Sequence, residues 1–223
     1  MSVGSVHMNA ELKQPDGPPN RQQYWEHVYA DRSDQDLSWY QSQPELSLEL
    51  IQFTGLDRKA AIIDIGGGSS ALVDVLLQAG YERLSVLDIA ENALQRAQQR
   101  LGQRASAVDW IRADVTAGVD DRVFSLWHDR AVFHFLVNEE DRVAYLRALA
   151  AGLRPDGFLI IATFAPDGPA KCSGLPVQRY SPESLSRTLG RAYRLLDTRL
   201  EDHRTPAGKV QHFVYCLFQR VAE

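Results

Sequence analysis

Short apolar runs alternate with amphipathic segments along most of the chain, and this alternation predicts its fold class. Apolar runs typical of buried strands occur at residues 60–65, 84–87, 108–112, 123–127 and 158–164. Between them, apolar residues recur at spacings of three and four, which predicts helices. Strands that alternate with helices form a mostly parallel sheet with helices on both faces. The predicted class is therefore α/β.

Helical periodicity also predicts which side chains face the core. A short helix at residues 24–29 places Trp25, Val28 and Tyr29 together, and Ser181 with Pro182 begins a late helix. At the end of the chain, residues 193–200 and 211–220 predict a hairpin that adds an antiparallel strand at one edge. The other predicted inward faces are Leu46, Leu50 and Phe53 at 44–53, and Val143, Leu146, Ala150 and Leu153 after Asn138.

Length and composition predict one folded domain. A chain of 223 residues that is 44% hydrophobic can bury a full core, and we assign residues 21–223 to it. Residues 1–20 include Pro15, Gly17, Pro18 and Pro19 and lack apolar periodicity, so we expect a flexible N-terminal lead.

Charge and hydropathy narrow the classes of partner. A net charge of -5 gives no broad cationic surface, which disfavours a nucleic-acid partner, so a small molecule or a protein fits better. No apolar run approaches the roughly 20 residues that span a bilayer, and no signal-peptide pattern is present. We expect no membrane association and a cytoplasmic protein. The sequence does not fix the oligomeric state.

The two cysteines predict neither a metal site nor a disulfide. Cys172 and Cys216 are far apart and form no C-x-x-C pair, so we interpret both as free thiols and assign no metal. Cys172 is expected to be exposed in the loop 165–176. Because no histidine partner follows at a readable spacing, we do not assign it as a nucleophile.

A glycine-rich turn gives the strongest functional signal. Residues 62–70 run from a strand through Gly66, Gly67 and Gly68 into a helix, so a ligand can approach the backbone closely. Gly66-x-Gly68-x-x-Ala71 also fits a relaxed dinucleotide fingerprint. Asp64, two residues before Gly66, would repel a pyrophosphate. It would attract the ammonium group of S-adenosylmethionine (SAM).

Two further aspartates follow the next strands. Asp88, 22 residues after Gly66, is placed to accept hydrogen bonds from both ribose hydroxyls of a nucleoside. This feature fits NAD and SAM equally. Asp114 follows the third strand and could accept from an adenine amino group, or it could be a plain turn or cap residue.

Together these motifs resemble the class I SAM-dependent methyltransferase superfamily. The resemblance runs from about Tyr24 to Arg220 and includes Ala113-Asp114, Leu153 to Gly157 and the closing hairpin. It implies a Rossmann-like seven-stranded sheet of order 3-2-1-4-5-7-6 with the last strand antiparallel, and SAM across strands 1, 2 and 4. The resemblance implies that Asp64, Gly66 and Gly68 line the methionine part, Asp88 the ribose, and Ile89 and Asp114 the adenine. We also expect Gly67, Val115 and His128 to be cofactor-binding residues.

The segment before the glycine turn resembles a narrower group. Tyr24-Trp25-Glu26, Trp39-Tyr40 and Glu45-Leu46 are similar to the lead of eukaryotic lysine methyltransferases that modify elongation factor 1A and citrate synthase. That likeness implies a lead folded over SAM, with Tyr24 or Trp25 beside it. The alternative is that these aromatic residues pack a helix onto the sheet. The chain departs from the group at residues 129–132, where Asp-Arg-Ala-Val replaces Asp-Lys-Gly-Thr, which weakens a lysine acceptor.

Residues 127–135 follow the fourth predicted strand, where a sheet of this kind opens its crevice. His134 or Asp129 could act as the base for a protonated acceptor, and Arg130 could hold an acceptor carboxylate. Alternatively, Asp129 and Arg130 form a local ion pair and His134 is a packing residue. The loop 165–176 is interpreted as a lid or acceptor wall, or as a plain surface excursion.

These observations predict a SAM-dependent methyltransferase that acts on a small molecule. A protein-lysine N-methyltransferase is the first alternative, favoured by the aromatic lead. An NAD(P)-dependent oxidoreductase is the second, favoured by the glycine spacing. A SAM-binding regulator without catalysis is the third.

Overall fold

A computed structural model of the chain describes residues 20–221. The predicted flexible lead, residues 1–20, lies outside the described residues except for Asn20. That residue caps the first helix, because its side chain accepts a hydrogen bond from the Gln23 amide.

The described residues form helices and strands in alternation. The helices are α1 Arg21–Asp31, α2 Glu45–Phe53, α3 Leu72–Gln78, α4 Glu91–Leu101, α5 Glu139–Gly152 and α6 Pro182–Leu189. The strands of the main sheet are β1 Ala61–Ile65, β2 Arg83–Asp88, β3 Val108–Arg112, β4 Phe124–Arg130, β5 Leu153–Phe164, β6 Tyr193–Arg204 and β7 Val210–Arg220. Two-residue strands, Lys171–Cys172 and Leu175–Pro176, pair separately as a short hairpin.

The main sheet has the predicted order, β3-β2-β1-β4-β5-β7-β6. Strands β1 to β5 pair in parallel, and β7 is antiparallel to both β5 and β6. The predicted Rossmann-like fold and closing hairpin are therefore confirmed. Because β1, β2 and β4 are parallel neighbours, their carboxyl ends meet at one edge of the sheet, where the glycine turn also lies.

Both faces of the sheet are covered. Successive residues of a strand point to opposite faces, so Ile62 and Leu126 belong to one apolar cluster and Ile63 and Trp127 to the other. None of the helices between residues 20 and 221 is long and apolar enough to cross a membrane.

The inward face predicted for α2 is wrong in part. Leu50 is buried as expected, but Phe53 is 61% exposed. Ser47 and Ile51 turn inward instead, which rotates the buried face of the helix. Ser47 faces inward because its hydroxyl has a hydrogen-bond partner, His128, beneath α2.

The inward face predicted for α5 is also wrong in part. Val143 is 38% exposed and Ala150 is exposed, whereas Tyr145 and Leu149 are buried. Tyr145 turns inward because its hydroxyl donates to a buried carboxylate of β4, at 2.7 Å from Asp129. Apolar periodicity cannot register such a contact.

Strand β4 is longer than predicted. Apolar patterning predicted its end at Trp127, but the strand continues through His128 and Asp129 to Arg130. Register pairs Asp64 with His128 and Ile65 with Asp129. Polar residues can extend the strand here because each side chain has a protein partner on its own face of the sheet.

Candidate functional site

The glycine turn after β1 has no room for side chains. Gly66 and Gly68 have φ values of +64° and +40°, in the left-handed region that favours glycine. A Cβ on Gly66 would collide with Val132 from the turn after β4. A Cβ on Gly67 would lie 2.6 Å from Asp64 Oδ2. Because the three glycines have no side chains, Asp64, Asp88 and the turn after β4 can all lie close to the backbone of this turn.

Asp88 presents one carboxylate oxygen to this turn. Its Oδ1 accepts a hydrogen bond from the Ala90 amide at 2.8 Å. Its Oδ2 lies 2.6 Å from the position that a Cβ of Gly68 would occupy. One oxygen is thus held by the protein while the other faces the glycine turn.

Asp64 has the same arrangement. Its Oδ1 is 2.7 Å from His128 Nδ1, and its Oδ2 faces Gly67. Within residues 20–221 no protein group donates a hydrogen bond to this second oxygen. The turn therefore lies beneath two buried carboxylates, Asp64 and Asp88, each with one oxygen directed at it.

Burial controls the protonation of Asp88. Loss of solvent raises the pKa of its carboxyl to about 7, and the nearby negative charge of Asp64 adds to the shift. Hydrogen bonds from the Ala90 and Ile89 amides oppose the shift without cancelling it. A ligand that donates hydrogen bonds to this carboxylate would favour its charged form.

Helix α1 covers the turn. Glu26 accepts hydrogen bonds from the Glu91 and Asn92 amides, at 2.7 and 3.1 Å, so α1 caps the N-terminus of α4. The Tyr29 hydroxyl lies 3.0 Å from the Cβ position of Gly68. Sequence reasoning placed Tyr29 only in the packing face of the helix and missed this position.

The predicted aromatic residues of the lead pack together. Trp25 makes edge-to-face contacts with Trp39 and Phe135, at centroid distances of 5.8 and 5.0 Å. The Tyr24 hydroxyl donates a hydrogen bond to the Ser173 carbonyl. The tryptophan contacts fit the alternative interpretation, in which these aromatic residues have a packing role. The Tyr24 hydrogen bond also joins α1 to the loop after β5.

Asp114 acts as a local cap. Its Oδ1 accepts from the Thr116 amide at 2.9 Å, and its Oδ2 lies 3.2 Å from Arg21. Val115 is buried in the core, and Ile89 is partly buried. The Ala113 amide donates to the Asp88 carbonyl, which keeps this turn beside the end of β2. An adenine role for these residues stays a prediction.

A small cavity separates the glycine turn from the α1–α2 connection. Its volume is about 40 Å³, and Asp64, Gly66, Trp39, Ser47 and His128 are among the residues that line it.

Asp129 faces away from this cavity. It is fully buried on the α5 side of the sheet and accepts hydrogen bonds from Tyr145 at 2.7 Å and from the Val132 and Phe133 amides. Burial raises the pKa of its carboxyl to about 6. Its contacts fix the turn after β4, which in turn packs on Gly66.

Arg130 lies on the other face of β4. Its guanidinium donates to Tyr215 at 2.6 Å and to the Trp39 carbonyl at 3.0 Å, and it pairs with Glu201 at 3.4 Å. The alternative of an Asp129–Arg130 ion pair is therefore wrong, because adjacent strand residues point to opposite faces. The Arg130 guanidinium, which the sequence analysis assigned to an acceptor carboxylate, is instead paired with Glu201 of the protein itself.

His134 is enclosed by aromatic rings. It is 0% exposed, and its ring centroid lies 4.5 Å from Phe135 and 4.8 Å from Phe164. Neither ring nitrogen has a hydrogen-bond partner among residues 20–221. Burial, together with the positive charge of Arg130, lowers the pKa of His134 to about 3, so the imidazole is neutral.

The loop 165–176 folds inward. The expectation that Cys172 is exposed is wrong, because its side chain is buried within the short hairpin. Burial raises the pKa of its thiol to about 11, which leaves no thiolate at neutral pH. After the hairpin, the Gln178 amide donates to the His134 carbonyl at 2.8 Å, which ties the loop to the β4 turn.

Both cysteines are free, as predicted. Within the part of the chain that the structure describes, no three His, Cys, Asp or Glu side chains are grouped so that they could hold a metal ion.

Comparisons with known proteins show which families and folds the chain is similar to. The family described as "Methyltransferase domain" matches residues 62–157. An eEF1A lysine and N-terminal methyltransferase of Danio rerio is 26% identical over 128 residues, which are 57% of this chain and 18% of that protein. The chain thus spans less than a fifth of that relative.

Solved structures share the fold. A chain from work on the conversion of a disulfide bond into a thioacetal group during echinomycin biosynthesis has a TM-score of 0.73 and 19% identity, covering 90% of this chain and 93% of that one. Burkholderia thailandensis 1,6-didemethyltoxoflavin-N1-methyltransferase, solved with 1,6-didemethyltoxoflavin and S-adenosylhomocysteine, has a TM-score of 0.67 and 20% identity, covering 95% and 94%.

Proposed function

Because the chain belongs to the class I SAM-dependent methyltransferase superfamily, we propose that it transfers a methyl group from SAM to a small-molecule acceptor. The match to the methyltransferase-domain family argues against an NAD(P)-dependent oxidoreductase. SAM supplies an electrophilic methyl group on a sulfonium, so the protein has to hold that group and an acceptor in line.

The observation that carries this proposal is the pair of carboxylates on the glycine turn. Asp64 Oδ2 suits the ammonium of the methionine part, since it is a buried acceptor with no donor from residues 20–221. Asp88 Oδ2 suits ribose hydroxyls, because each hydroxyl can donate a hydrogen bond. Both anions would repel a pyrophosphate at the same turn.

We assign further cofactor contacts to the elements around this pair. Ile89, Asp114 and Val115 would lie along the adenine, and Tyr24, Trp25 and Tyr29 would cover the ligand from α1. The hydrogen bond between the Ala113 amide and the Asp88 carbonyl supports the first assignment, because it keeps the two turns adjacent.

His134 is the group that we assign to the acceptor. A buried polar atom without a partner is costly, so an enclosed imidazole with two unpartnered nitrogens suits a ligand that supplies a hydrogen bond. With a pKa of about 3 it is neutral, and it would orient an acceptor O–H or N–H more readily than it would hold a proton.

Asp129 and Arg130 have supporting roles in this proposal. Asp129 caps the β4 turn from the opposite face, and Arg130 is bound by Glu201 and Tyr215. We therefore place neither group in contact with the acceptor, in contrast to their assignment from sequence.

A protein-lysine acceptor is the second candidate function. It is favoured by the similarity to the Danio rerio relative, whose name describes a lysine and N-terminal methyltransferase of eEF1A, and by the aromatic lead around Trp25. The small-molecule acceptor is preferred because the His134 side chain is fully buried, so an acceptor that contacts its ring nitrogens has to be small enough to enter the protein interior.

Calorimetry with S-adenosylhomocysteine (SAH) tests the cofactor assignment. We expect micromolar binding that is lost in Asp64→Ala and Asp88→Ala and kept in Asp109→Asn, a control at an exposed aspartate of β3. If the wild-type protein shows no binding at millimolar SAH, the cofactor assignment is refuted.

Labelled SAM and a cell lysate separate the two acceptor classes. The label should enter the small-molecule fraction with wild-type protein and should be absent with His134→Phe. Label found only in the protein fraction would replace the small-molecule proposal with the lysine alternative.

A further inference from the structure

We propose that Ser47, on α2, positions the cofactor-binding carboxylate Asp64 by acting through His128. This inference rests on the proposed function, because it concerns how the ammonium of SAM would be held. Ser47 is a positioning residue here and does not contact the cofactor.

The three side chains form a continuous hydrogen-bonded chain. Ser47 Oγ lies 2.9 Å from His128 Nε2, and His128 Nδ1 lies 2.7 Å from Asp64 Oδ1. Their exposed fractions are 1%, 2% and 5%, in the order serine, histidine, aspartate. All three side chains border the same small cavity.

The donors and acceptors of this chain follow from its chemistry. A carboxylate only accepts hydrogen bonds, so His128 carries its proton on Nδ1 and donates it to Asp64. His128 Nε2 is then an acceptor, and the Ser47 hydroxyl donates to it. Ser47 thereby fixes both the ring orientation and the tautomer of His128, as an outer-shell partner does for a metal-bound histidine.

The connectivity of a hydrolytic Ser-His-Asp triad is present, but the rest of such a site is not. Acyl transfer requires backbone donors aimed at a developing oxyanion. The amides of Gly66 and Gly67, which line the same cavity, both donate to the Leu87 carbonyl, at 2.7 and 3.2 Å. A positioning role therefore fits the contacts better than a nucleophilic one.

The positioning matters because Asp64 lies close to another acid. The negative charge of Asp64 contributes to the raised pKa of Asp88, so the two carboxylates repel each other when both are charged. The His128 N–H holds Oδ1 of Asp64 and leaves Oδ2 facing Gly67. Without the anchor on α2, the imidazole and then the carboxylate are free to rotate away from the glycine turn.

Two ligands separate this effect from a general loss of binding. SAH has the amino-acid part that would meet Asp64, and 5′-methylthioadenosine lacks it. In Ser47→Ala we expect SAH affinity to fall about 10-fold, the value of roughly one buried hydrogen bond, while 5′-methylthioadenosine affinity is unchanged. Ser47→Thr keeps the hydroxyl and should bind SAH like wild type.

Matched variants test the route through His128. Ser125→Ala removes another buried serine, in the same strand as His128, and should leave both affinities unchanged. In a His128→Gln background, Ser47→Ala should add no further loss, because the path to Asp64 is already broken. Nitrogen-15 NMR of wild-type protein should show His128 with its proton on Nδ1.

The outcomes are distinguishable. If wild-type protein binds neither ligand, the proposed function fails before the role of Ser47 is tested. If wild type binds both and Ser47→Ala keeps full SAH affinity, or loses affinity for both ligands equally, the positioning role is refuted. An Nε2–H tautomer of His128 would overturn it as well.

Discussion

Recognition of ribose by Asp88 would make nucleoside affinity depend on pH near neutrality. Burial raises the pKa of this carboxyl to about 7 in the free protein, and the charged form is the one that accepts hydrogen bonds from both ribose hydroxyls. Binding therefore selects the deprotonated protein. Affinity should rise with pH and reach a plateau once Asp88 is fully ionised.

The expected magnitude follows from the ionised fraction. With a pKa of about 7, that fraction rises from about a tenth at about pH 6 to about nine tenths at about pH 8. The affinity should thus increase about 10-fold over this interval. The other groups that face Asp88 are Asp64, Glu26 and Tyr29, and burial holds the pKa of Tyr29 well above its ordinary value, so the phenol stays neutral.

Calorimetry with 5′-methylthioadenosine isolates this effect, because the ligand has the ribose and lacks the amino-acid part. Asp88→Asn cannot ionise, so its affinity should be weak and independent of pH. Asp109→Asn should keep the wild-type pH profile. A flat wild-type profile, or one in which affinity falls as pH rises, would show that Asp88 does not bind the ribose as an anion.

Three further predictions concern single side chains. Gly67→Ala should abolish SAH binding with the fold retained by circular dichroism, because its Cβ would lie 2.6 Å from Asp64 Oδ2; binding at wild-type affinity would contradict this geometry. The pKa of Asp129 is raised to about 6, so the folded protein loses roughly 3 kcal/mol of unfolding free energy as pH rises from about 4 through about 6. Urea unfolding of Asp129→Asn should lack that loss, and an identical pH profile would refute it. His134→Phe should abolish turnover and leave SAH affinity unchanged. It should also raise the unfolding free energy by about 1 kcal/mol, because it removes buried nitrogens that have no hydrogen-bond partner. Retained turnover would exclude the acceptor role.

Sequence patterning predicted the sheet because strands and helices differ in period. The alternation of strands and helices, the closing hairpin and the glycine turn follow from residues that are contiguous in the chain, whereas the order of the strands was predicted from the resemblance to the class I SAM-dependent methyltransferase superfamily. Asp64 and Asp88 could be placed for the same reason, since Asp64 is the penultimate residue of β1 and Asp88 is the last residue of β2. Local sequence therefore predicted the α/β class and the centre of the candidate cofactor site.

Contacts between distant segments could not be predicted in this way. Ser47 and Tyr145 each occupy an inward position that apolar periodicity assigned to other residues, and each does so because its hydroxyl meets a side chain of β4. Their sequence separations from His128 and Asp129 are 81 and 16 residues. A polar residue within an apolar helix face was the available signal.

Three consecutive polar residues at the end of β4 show why position along a strand decides their roles. His128 and Arg130 point to the face covered by α2, and Asp129 points to the face covered by α5. Only the first face holds the cavity beside the glycine turn. On that face Arg130 is already bound to Glu201, so His128 is the member of the run that can act on Asp64. A shift of one residue in the register of β4 would exchange these faces, place a second acid beside Asp64 and remove the histidine from Ser47.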